Sequence, residues 1–406
     1  MAKAYGGRRI WLALSILLVG ALLAGSTTTA AVGKLVIWSS EAQLPALQEM
    51  AKKFQAEFGV PVQVTEVSFG EIRPNFSVAA PTGEGPDLIV GAHDWIGELA
   101  KTGLLEPIAL SAAEREAFAR VAIDAFTLGG KLYGVPYAIE AIAIIYNKAL
   151  VPRVPATWDE FIKLARGLTD REKKRYGFLY PTGDPYHSFP FLSAKGGFIF
   201  KFGPQGFDAN VVGIDSPGGV AGARLIESLT KEGLVPKGTD YQTMQGLFTQ
   251  GNVGMIMTGP WEIDNVKRAG INYGVAKIPT IEGRTARPFV GAQGFMLNSF
   301  SQNKVLALEF LRKFVMTRDG QLAIWKVDPR IPALNAAYQA VSTDPDVRAF
   351  GASAADGIPM PNIPQMAAVW GALGDKLTLV VNGEQDPASA MRDAARQIRD
   401  AIARGK

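Results

Sequence analysis

Acidic and aromatic side chains follow predicted strands in this chain. In "GEGPDLIVGAHDW", residues 88–90 predict a buried strand, and Asp94 and Trp95 come directly after it. Glu41 follows the first predicted strand, "KLVIW", in the same way. A carboxylate accepts hydrogen bonds from hydroxyl groups, and an indole covers apolar surface. These residues therefore indicate a site for a polar ligand, although Asp94 could instead cap a helix.

Glu140 is the single charge in the long extended run "VPYAIEAIAIIYN". A buried carboxylate without partners costs several kcal/mol. It therefore needs either a structural Lys or Arg or a polar ligand, and the sequence leaves both alternatives open.

Three later segments place aromatic residues beside turn residues, and two of them also contain acids. "TGDPYHSFPF" predicts a turn that carries Asp184, Tyr186 and His187, and "GNVGMIMTGPWEI" places Trp261 after a strand and a glycine. "MPNIPQMAAVW" is a two-proline loop that leads into a helix with Trp370. Sugars are bound by such sets, since carboxylates take the hydroxyl groups and aromatic faces cover the C–H patches.

The elements that must position these residues alternate between strand and helix. Apolar residues from Leu47 to Phe58 have helical spacing and end at Gly59. Alternating strands and helices predict a parallel or mixed α/β sheet, which binds ligands beyond the carboxyl ends of its strands. Thr157 and Glu160 predict a capping box at the start of another helix, with Trp158 as a structural residue.

Composition limits the function classes. A chain of 406 residues with 48% apolar and 20% charged residues predicts two domains or one split domain. The net charge of +4 is supplied largely by the N-terminus, so we predict no nucleic-acid partner. The chain has no cysteine, two histidines and no P-loop, G-x-G-x-x-G, H-E-x-x-H or G-x-S-x-G motif. We therefore predict no cofactor and no metal.

The N-terminus has the order of a secretory signal peptide. Lys3, Arg8 and Arg9 precede an apolar stretch at 10–24, and small residues follow up to Ala31. We predict a signal peptide at 1–31, cleavage near Ala30 or Ala31, and a periplasmic or other extracytoplasmic location; an uncleaved anchor is the alternative.

Eight segments in the same order carry a family resemblance over nearly the whole mature chain. The chain is similar to the maltose/maltodextrin-binding proteins of bacterial ABC importers in "KLVIW", "GEGPDLIVGAHDW", "VPYAIEAIAIIYNK", "DPYHSFPF", "TGPW", "NYGVAKIPT", "PFVG" and "MPNIPQMAAVW". The resemblance implies a two-lobed α/β periplasmic-binding-protein fold with crossing hinge strands and a ligand cleft. It implies a first lobe of 32–139 with 295–339, a second of 140–294 with 340–406, and crossings near Ala141, Phe295 and Asp344.

The same resemblance assigns site residues position by position. Asp94, Glu140 and Asp184 match acids that bind sugar hydroxyls, and Glu41 is a looser match. Stacking aromatic residues of the family match Tyr186, Trp261 and Trp370, and Met360 lines the same cleft. Trp95 departs from the family but is expected to contact the ligand at the cleft edge beside Asp94. His93 has no ligand role in the family, so we expect it to be structural.

Departures from the family bear on the sugar. Gly91 stands where a tryptophan is frequent, and Trp95 stands where an arginine is frequent, so Trp95 is expected to refill part of the space. Gly371 and Gly374 replace an aromatic residue and an arginine. These changes predict binding of α-linked disaccharides or short maltodextrins, with no gain beyond a trisaccharide.

The resemblance implies a monomeric binding protein that delivers sugar to membrane permease subunits and is not an enzyme. The alternative is a secreted glycoside hydrolase that uses Glu140 and Asp184 as acid and base, because such enzymes also combine two carboxylates with aromatic residues.

Overall fold

The computed structural model describes residues 33–203 and 206–405. The predicted signal peptide and its cleavage site lie outside the described residues. The strands are β1 (Leu35–Ser39), β2 (Val62–Glu66), β3 (Leu88–Ala92), β4 (Leu105–Glu106), β5 (Thr127–Leu128), β6 (Lys131–Leu132), β7 (Val135–Glu140), β8 (Ala143–Asn147), β9 (Tyr176–Leu179), β10 (Phe198–Gly203), β11 (Gly206–Gly213), β12 (Val253–Thr258), β13 (Tyr273–Ala276), β14 (Phe289–Asn298), β15 (Ile331–Pro332) and β16 (Ile358–Pro359).

Helices connect most of these strands. They are α1 (Leu44–Phe58), α2 (Phe69–Ala79), α3 (Trp95–Lys101), α4 (Ala112–Glu116), α5 (Arg120–Ala125), α6 (Trp158–Leu168), α7 (Pro185–Ala194), α8 (Pro217–Lys231), α9 (Tyr241–Thr249), α10 (Ile263–Arg268), α11 (Lys304–Phe310), α12 (Arg318–Val327), α13 (Asn335–Val341), α14 (Pro345–Asp356), α15 (Ala367–Asn382) and α16 (Pro387–Ala403). In the part of the chain that the structure describes, no helix combines the length and apolarity of a membrane span.

Two larger sheets organise the chain into a two-lobed α/β fold, as the sequence predicts. The first has the order β15-β7-β14-β3-β1-β2, with β4 and β16 also paired to β14. The second has the order β13-β8-β12-β9. Both are mixed, since β1 is parallel to β2 and β3 but β14 is antiparallel to β3 and β7. The helices cover these sheets, and the apolar core includes fully buried Phe54, Phe178 and Phe295.

The extended run at 135–147 is two strands rather than one. β7 pairs in the first sheet and β8 in the second, and the strand is interrupted at Ala141 and Ile142. The chain passes between the sheets at that break, near Ala141, where the family resemblance implies a crossing. Because each strand is covered within its own sheet, the run is apolar on both sides of the break.

The return to the first sheet comes earlier than the expected crossing at Phe295. β14 already pairs with β7 at Gly291 and with β3 at Gln293, so a boundary at 294/295 falls inside a strand of the first sheet. A further passage lies between α13 and α14, where the Tyr273 hydroxyl of β13 donates to Asp346. The other lobe boundaries that the resemblance implies, at 139/140 and 339/340, stay predictions.

The first helix follows its sequence signals. Buried Leu47, Met50 and Phe54 form one face of α1, and Gly59 ends it with a φ of 69°. Since positive φ strains residues that carry a Cβ, glycine suits this position.

The predicted capping box at α6 is wrong. The hydroxyl of Thr157 donates to the Glu160 carboxylate at 3.1 Å instead of accepting the backbone N–H of Glu160. A backbone bridge fixes this end of the helix, because the Trp158 N–H donates to the Thr280 carbonyl. Trp158 itself is buried and stacks on Phe161 with ring centroids 5.2 Å apart.

Trp158→Ala should destabilise the fold and spare ligand binding. Removing a large buried ring from the α6–β9 packing should lower the free energy of unfolding by about 3–5 kcal/mol. Trp158 does not line the cavity described below. Thermal melts and binding assays at a temperature where the variant is folded test this, and a large loss of affinity in the folded variant would contradict it.

Candidate functional site

One cavity of about 620 Å³ is lined by residues that follow strands of both sheets. All nine residues singled out in the sequence lie on its wall: Glu41, Asp94, Trp95, Glu140, Asp184, Tyr186, Trp261, Met360 and Trp370. The predicted strand exits therefore meet in space, at the carboxyl ends where α/β sheets bind ligands. Glu41 is exposed on this wall.

Glu140, at the end of β7, is held by two buried partners. The Arg330 guanidinium donates from Nε to Oε2 at 2.5 Å, and the Gln293 amide donates to Oε1 at 2.9 Å. Of the two alternatives that the sequence leaves open, a structural arginine is present. The carboxylate still lines the cavity, and each oxygen retains a second lone pair for a ligand.

Arg330 belongs to a larger buried network behind the cavity wall. Its Nη1 also bonds Asp328, whose Oδ2 accepts from the Gln43 amide at 2.7 Å and the Tyr137 hydroxyl at 2.9 Å. The side chains of Arg330, Glu140 and Asp328 are 8%, 7% and 0% exposed. One guanidinium therefore neutralises two carboxylates that have almost no contact with water.

The Arg330 guanidinium also lies against the second lobe. Its Cζ is 5.3 Å from the centre of the Trp261 ring, within the range of a cation–π contact. A guanidinium has five N–H donors, and Nη2 donates to no described residue. Arg330 can therefore supply donors to the cavity beside the acceptors of Glu140.

Asp94 does not cap α3, although it lies at the N-cap position. Its side chain accepts no bond from the first turn of the helix, and Oδ2 instead accepts the indole N–H of Trp370 at 3.0 Å. The alternative of a capping role is thus wrong. Burial raises the pKa of Asp94 despite opposing contributions from His93, Arg73 and the Trp370 bond.

Two glycines make room for two of the indoles. A Cβ at Gly91 would overlap the Trp95 ring, and a Cβ at Gly259 would overlap the Trp261 ring. Trp95 thus covers the place where a side chain at position 91 would lie, as the sequence predicts, and it packs on Phe69 at 5.1 Å. Each indole folds back over the end of its strand.

Asp184 is the N-cap of α7, so the predicted turn is a helix. Its Oδ1 accepts the Tyr186 N–H at 2.7 Å, and its Oδ2 lies 2.6 Å from His187 Nδ1. Burial by itself raises the pKa of Asp184, but the charge and hydrogen bond of His187 and the backbone N–H groups outweigh it and hold that pKa below its ordinary value. Pro185 at the first helical position favours the helix.

A buried carboxylate supports the part of the wall contributed by α9. Glu262 Oε2 accepts from the Tyr241 hydroxyl at 2.6 Å and the Gln245 amide at 2.9 Å, and both of these residues line the cavity. Burial raises the pKa of Glu262. Because the Gln245 NH₂ is held by this carboxylate, its carbonyl oxygen is left as an acceptor.

His93 is structural, as expected. Its Nε2 lies 3.0 Å from the Met360 carbonyl, and its Nδ1 accepts the Ala292 N–H at 3.1 Å. Both ring nitrogens are therefore used, and the histidine fixes the loop that places Met360 on the cavity wall.

The charges on the wall disfavour an anionic ligand. Four carboxylates and two guanidiniums line the cavity, and Arg73 pairs with Glu98 at 3.0 Å while Arg330 is neutralised as described. Across residues 33–203 and 206–405, no three histidine, aspartate or glutamate side chains are grouped as a metal site requires.

Sequence reasoning missed several residues on this wall, namely Phe69, Arg73, Gln293, Arg330, Tyr241 and Gln245. His187 was noticed in its motif but not assigned to the site. For His187 a local signal exists, because an aspartate at an N-cap and a histidine three residues later can bond each other. Arg330 is 190 residues from Glu140 and has no such signal.

The cavity between two mixed α/β lobes, lined by acids and aromatic residues at strand ends, is that of a two-lobed binding protein. The model of the family described as bacterial extracellular solute-binding protein matches residues 49–349. The chain belongs to this family.

Individual relatives cover most of the chain. This chain is 29% identical over 383 residues to the galactooligosaccharide-binding protein of Bacillus subtilis (strain 168), and the match covers 91% of this chain and 89% of that protein. It is 32% identical over 351 residues to the maltotriose-binding protein of Pyrococcus abyssi (strain GE5 / Orsay), covering 84% and 75%. It is 28% identical over 385 residues to a maltooligosaccharide ABC transporter solute-binding lipoprotein of Streptococcus pneumoniae (strain ATCC BAA-255 / R6), covering 91% and 89%. The names of these relatives describe sugar-binding proteins.

Proposed function

We propose that this protein is the extracytoplasmic solute-binding component of an ABC sugar importer and that it binds an α-linked disaccharide or short maltodextrin in the cavity between its lobes. The observation that carries the proposal is the gathering of acids and indoles from both sheets around one cavity. The names of two relatives, which bind maltotriose and maltooligosaccharides, support this substrate class, whereas the galactooligosaccharide-binding relative supports only an oligosaccharide ligand in general.

The polar and the aromatic residues of the cavity wall contact different parts of the sugar in this proposal. Sugar hydroxyls donate hydrogen bonds to the carboxylates of Glu41, Asp94, Glu140 and Asp184. The Arg330 guanidinium donates to hydroxyl oxygens beside Glu140. The C–H faces of the sugar rings pack on the aromatic side chains of Trp95, Tyr186, Trp261 and Trp370. Met360 fills the space between these aromatic side chains. A carboxylate next to a guanidinium suits a pair of neighbouring hydroxyl groups, because one hydroxyl donates while the other accepts.

Closure of the lobes follows from contact with both of them. A ligand shifts a conformational equilibrium only through different interactions with the two states. Glu140 ends β7 and Arg330 precedes β15 of the first sheet, whereas Asp184 follows β9 and Trp261 follows β12 of the second. A sugar that touches both groups therefore favours the closed form. We propose that the closed monomer docks on the permease subunits.

The length of the sugar is limited on the α15 side. A Cβ at Gly371 would meet no atom within 4 Å, so this position offers open space rather than a stacking surface. Gly374 likewise has no side chain to donate or stack. We therefore propose that a third ring gains little beyond two and a fourth gains nothing.

Calorimetry of the mature protein tests the function directly. We expect dissociation constants in the micromolar range or tighter, about −8 kcal/mol or more favourable, for at least one of maltose, trehalose, sucrose and maltotriose. Maltotetraose should bind no more tightly than the best of these. Lactose and other β-galactosides form the comparison arm, because one relative binds galactooligosaccharides. If no sugar in either arm binds, the proposal is wrong.

The alternative of a glycoside hydrolase is disfavoured by the partners of its two carboxylates. A general acid must hold a proton near neutral pH, which requires a raised pKa. The pKa of Asp184 is instead lowered, and Glu140 is paired with Arg330. Prolonged incubation with α-glucosides should release no glucose, and protein-dependent release would overturn the binding function.

A further inference from the structure

Two neighbouring residues on the second-lobe wall of the cavity have buried polar atoms without partners. The Tyr186 hydroxyl and the His187 Nε2 make no hydrogen bond with any described residue. Both residues line the cavity, and the His187 side chain is only 6% exposed. A buried polar group without a partner costs about 1–3 kcal/mol, so these two atoms indicate a bonding partner that binds from the cavity.

The contact with Asp184 fixes which ring nitrogen of His187 remains available. The lowered pKa of Asp184 keeps its carboxylate ionised, and an ionised carboxylate can only accept hydrogen bonds. His187 Nδ1, 2.6 Å from it, therefore carries a proton and donates. Nε2 is then a lone-pair acceptor in the neutral ring and a donor in the charged ring. A hydroxyl group can satisfy either form, because it both donates and accepts.

We infer that His187 is a direct ligand-binding residue whose Nε2 forms a hydrogen bond with a sugar hydroxyl. This inference rests on the proposed function and extends it. The second lobe then binds the sugar with an acid and a base, Asp184 and His187, as the first lobe does with Glu140 and Arg330. Specificity follows, because a sugar that lacks the hydroxyl at this position leaves Nε2 unsatisfied.

The surroundings of the ring agree with this role. The Tyr186, Tyr241 and Trp261 rings lie 5.6, 6.2 and 6.3 Å from the imidazole, and among the described residues the ring is hydrogen-bonded only to Asp184. The Tyr241 hydroxyl donates to the Glu262 carboxylate. Three aromatic rings thus surround the imidazole beside the cavity.

A pair of amide variants separates ligand binding from a purely structural role. His187→Asn keeps an amide near the position of Nδ1, where it can still donate to Asp184, and has no atom at the position of Nε2. His187→Gln places its amide near Nε2 instead. We expect the affinity for the tightest sugar among maltose, trehalose, sucrose and maltotriose to fall about tenfold in His187→Asn. It should fall clearly less in His187→Gln.

Nuclear magnetic resonance of the wild-type protein gives an independent measurement. The chain has two histidines, so the imidazole ¹⁵N signals are few. Saturation with the same sugar should shift the Nε2 signal of His187, whereas His93, with both nitrogens already bonded, serves as the internal reference. Monodeoxy analogues of that sugar should include one that loses affinity for the wild type but not for His187→Asn.

The outcomes are distinguishable. If the wild type binds sugar, His187→Asn binds within twofold of it, and the Nε2 signal is unchanged, the inference is overturned and the proposed function stands. If the wild type binds no sugar at all, the proposed function fails first and the inference fails with it. If His187→Asn does not fold, the Nε2 signal of the wild type decides.

Discussion

Arg330→Met should lower the free energy of unfolding by about 3–5 kcal/mol and weaken sugar binding at least tenfold. The substitution removes the one guanidinium that bonds both Glu140 and Asp328, and those carboxylates are 7% and 0% exposed. A buried charge that has lost its partner is strongly destabilising. Affinity falls as well, because Glu140 loses its orientation and Trp261 loses the cation over its ring. Chemical denaturation and calorimetry measure the two effects.

Two control variants show whether burial causes the effect. Arg120→Met removes an arginine whose ion pair with Asp124 is 92% and 64% exposed, and it should change stability by less than about 0.5 kcal/mol. Adding Glu140→Gln to Arg330→Met removes one of the two isolated charges and should restore part of the stability, but not the affinity. A stability for Arg330→Met equal to that of Arg120→Met would show that the buried network contributes nothing.

Trp261→Ala should weaken sugar binding about thirtyfold, or about 2 kcal/mol, with a smaller effect on stability. A sugar face that covers roughly 80 Å² of indole gains about 2 kcal/mol at ~25 cal/mol per Å². Trp261 is only partly buried and lies between Arg330 and Tyr186, with its ring folded over Gly259. Calorimetry with the tightest sugar measures the loss.

The matched control for this variant is another tryptophan. Trp325 is also partly buried, but it lies in α12 and does not line the cavity. Trp325→Ala should bind sugar as the wild type does. Gly259→Ala offers a second comparison, because its Cβ would displace the Trp261 ring and should reproduce much of the loss. Equal affinities of Trp261→Ala and Trp325→Ala would exclude Trp261 from the site.

Sequence patterns predicted the cavity wall best where an acid or an indole directly follows a buried strand. Asp94 and Trp95 after β3, and Trp261 after β12, were found because a buried strand followed by an acid or an indole is a local feature. Local patterns failed where a distant segment decides the geometry. The backbone bridge from Thr280 replaces the capping box at Thr157, and Trp370 takes the Asp94 carboxylate that would otherwise cap α3.

Arg330 shows the limit of such reasoning most clearly. The local pattern "VDPRIPA" predicts only that Arg330 lies in a proline-rich turn. The carboxylate that it binds, Glu140, is 190 residues away in the chain. Glu140 itself signalled that a partner must exist, because a lone charge in an apolar run needs one. The identity of that partner depends on how β7 and β15 pair, which no local pattern contains.

The position of β14 has a consequence for the order in which the protein can be made. This strand lies between β7 and β3 in the first sheet, yet it ends only at Asn298. A ribosome that adds roughly 5–20 residues per second needs on the order of 15–60 s to reach that point. Until then, the nascent chain has both neighbouring strands without the partner that joins them. The first lobe is therefore assembled late in synthesis, and during that interval the edges of β3 and β7 that β14 will cover remain unpaired.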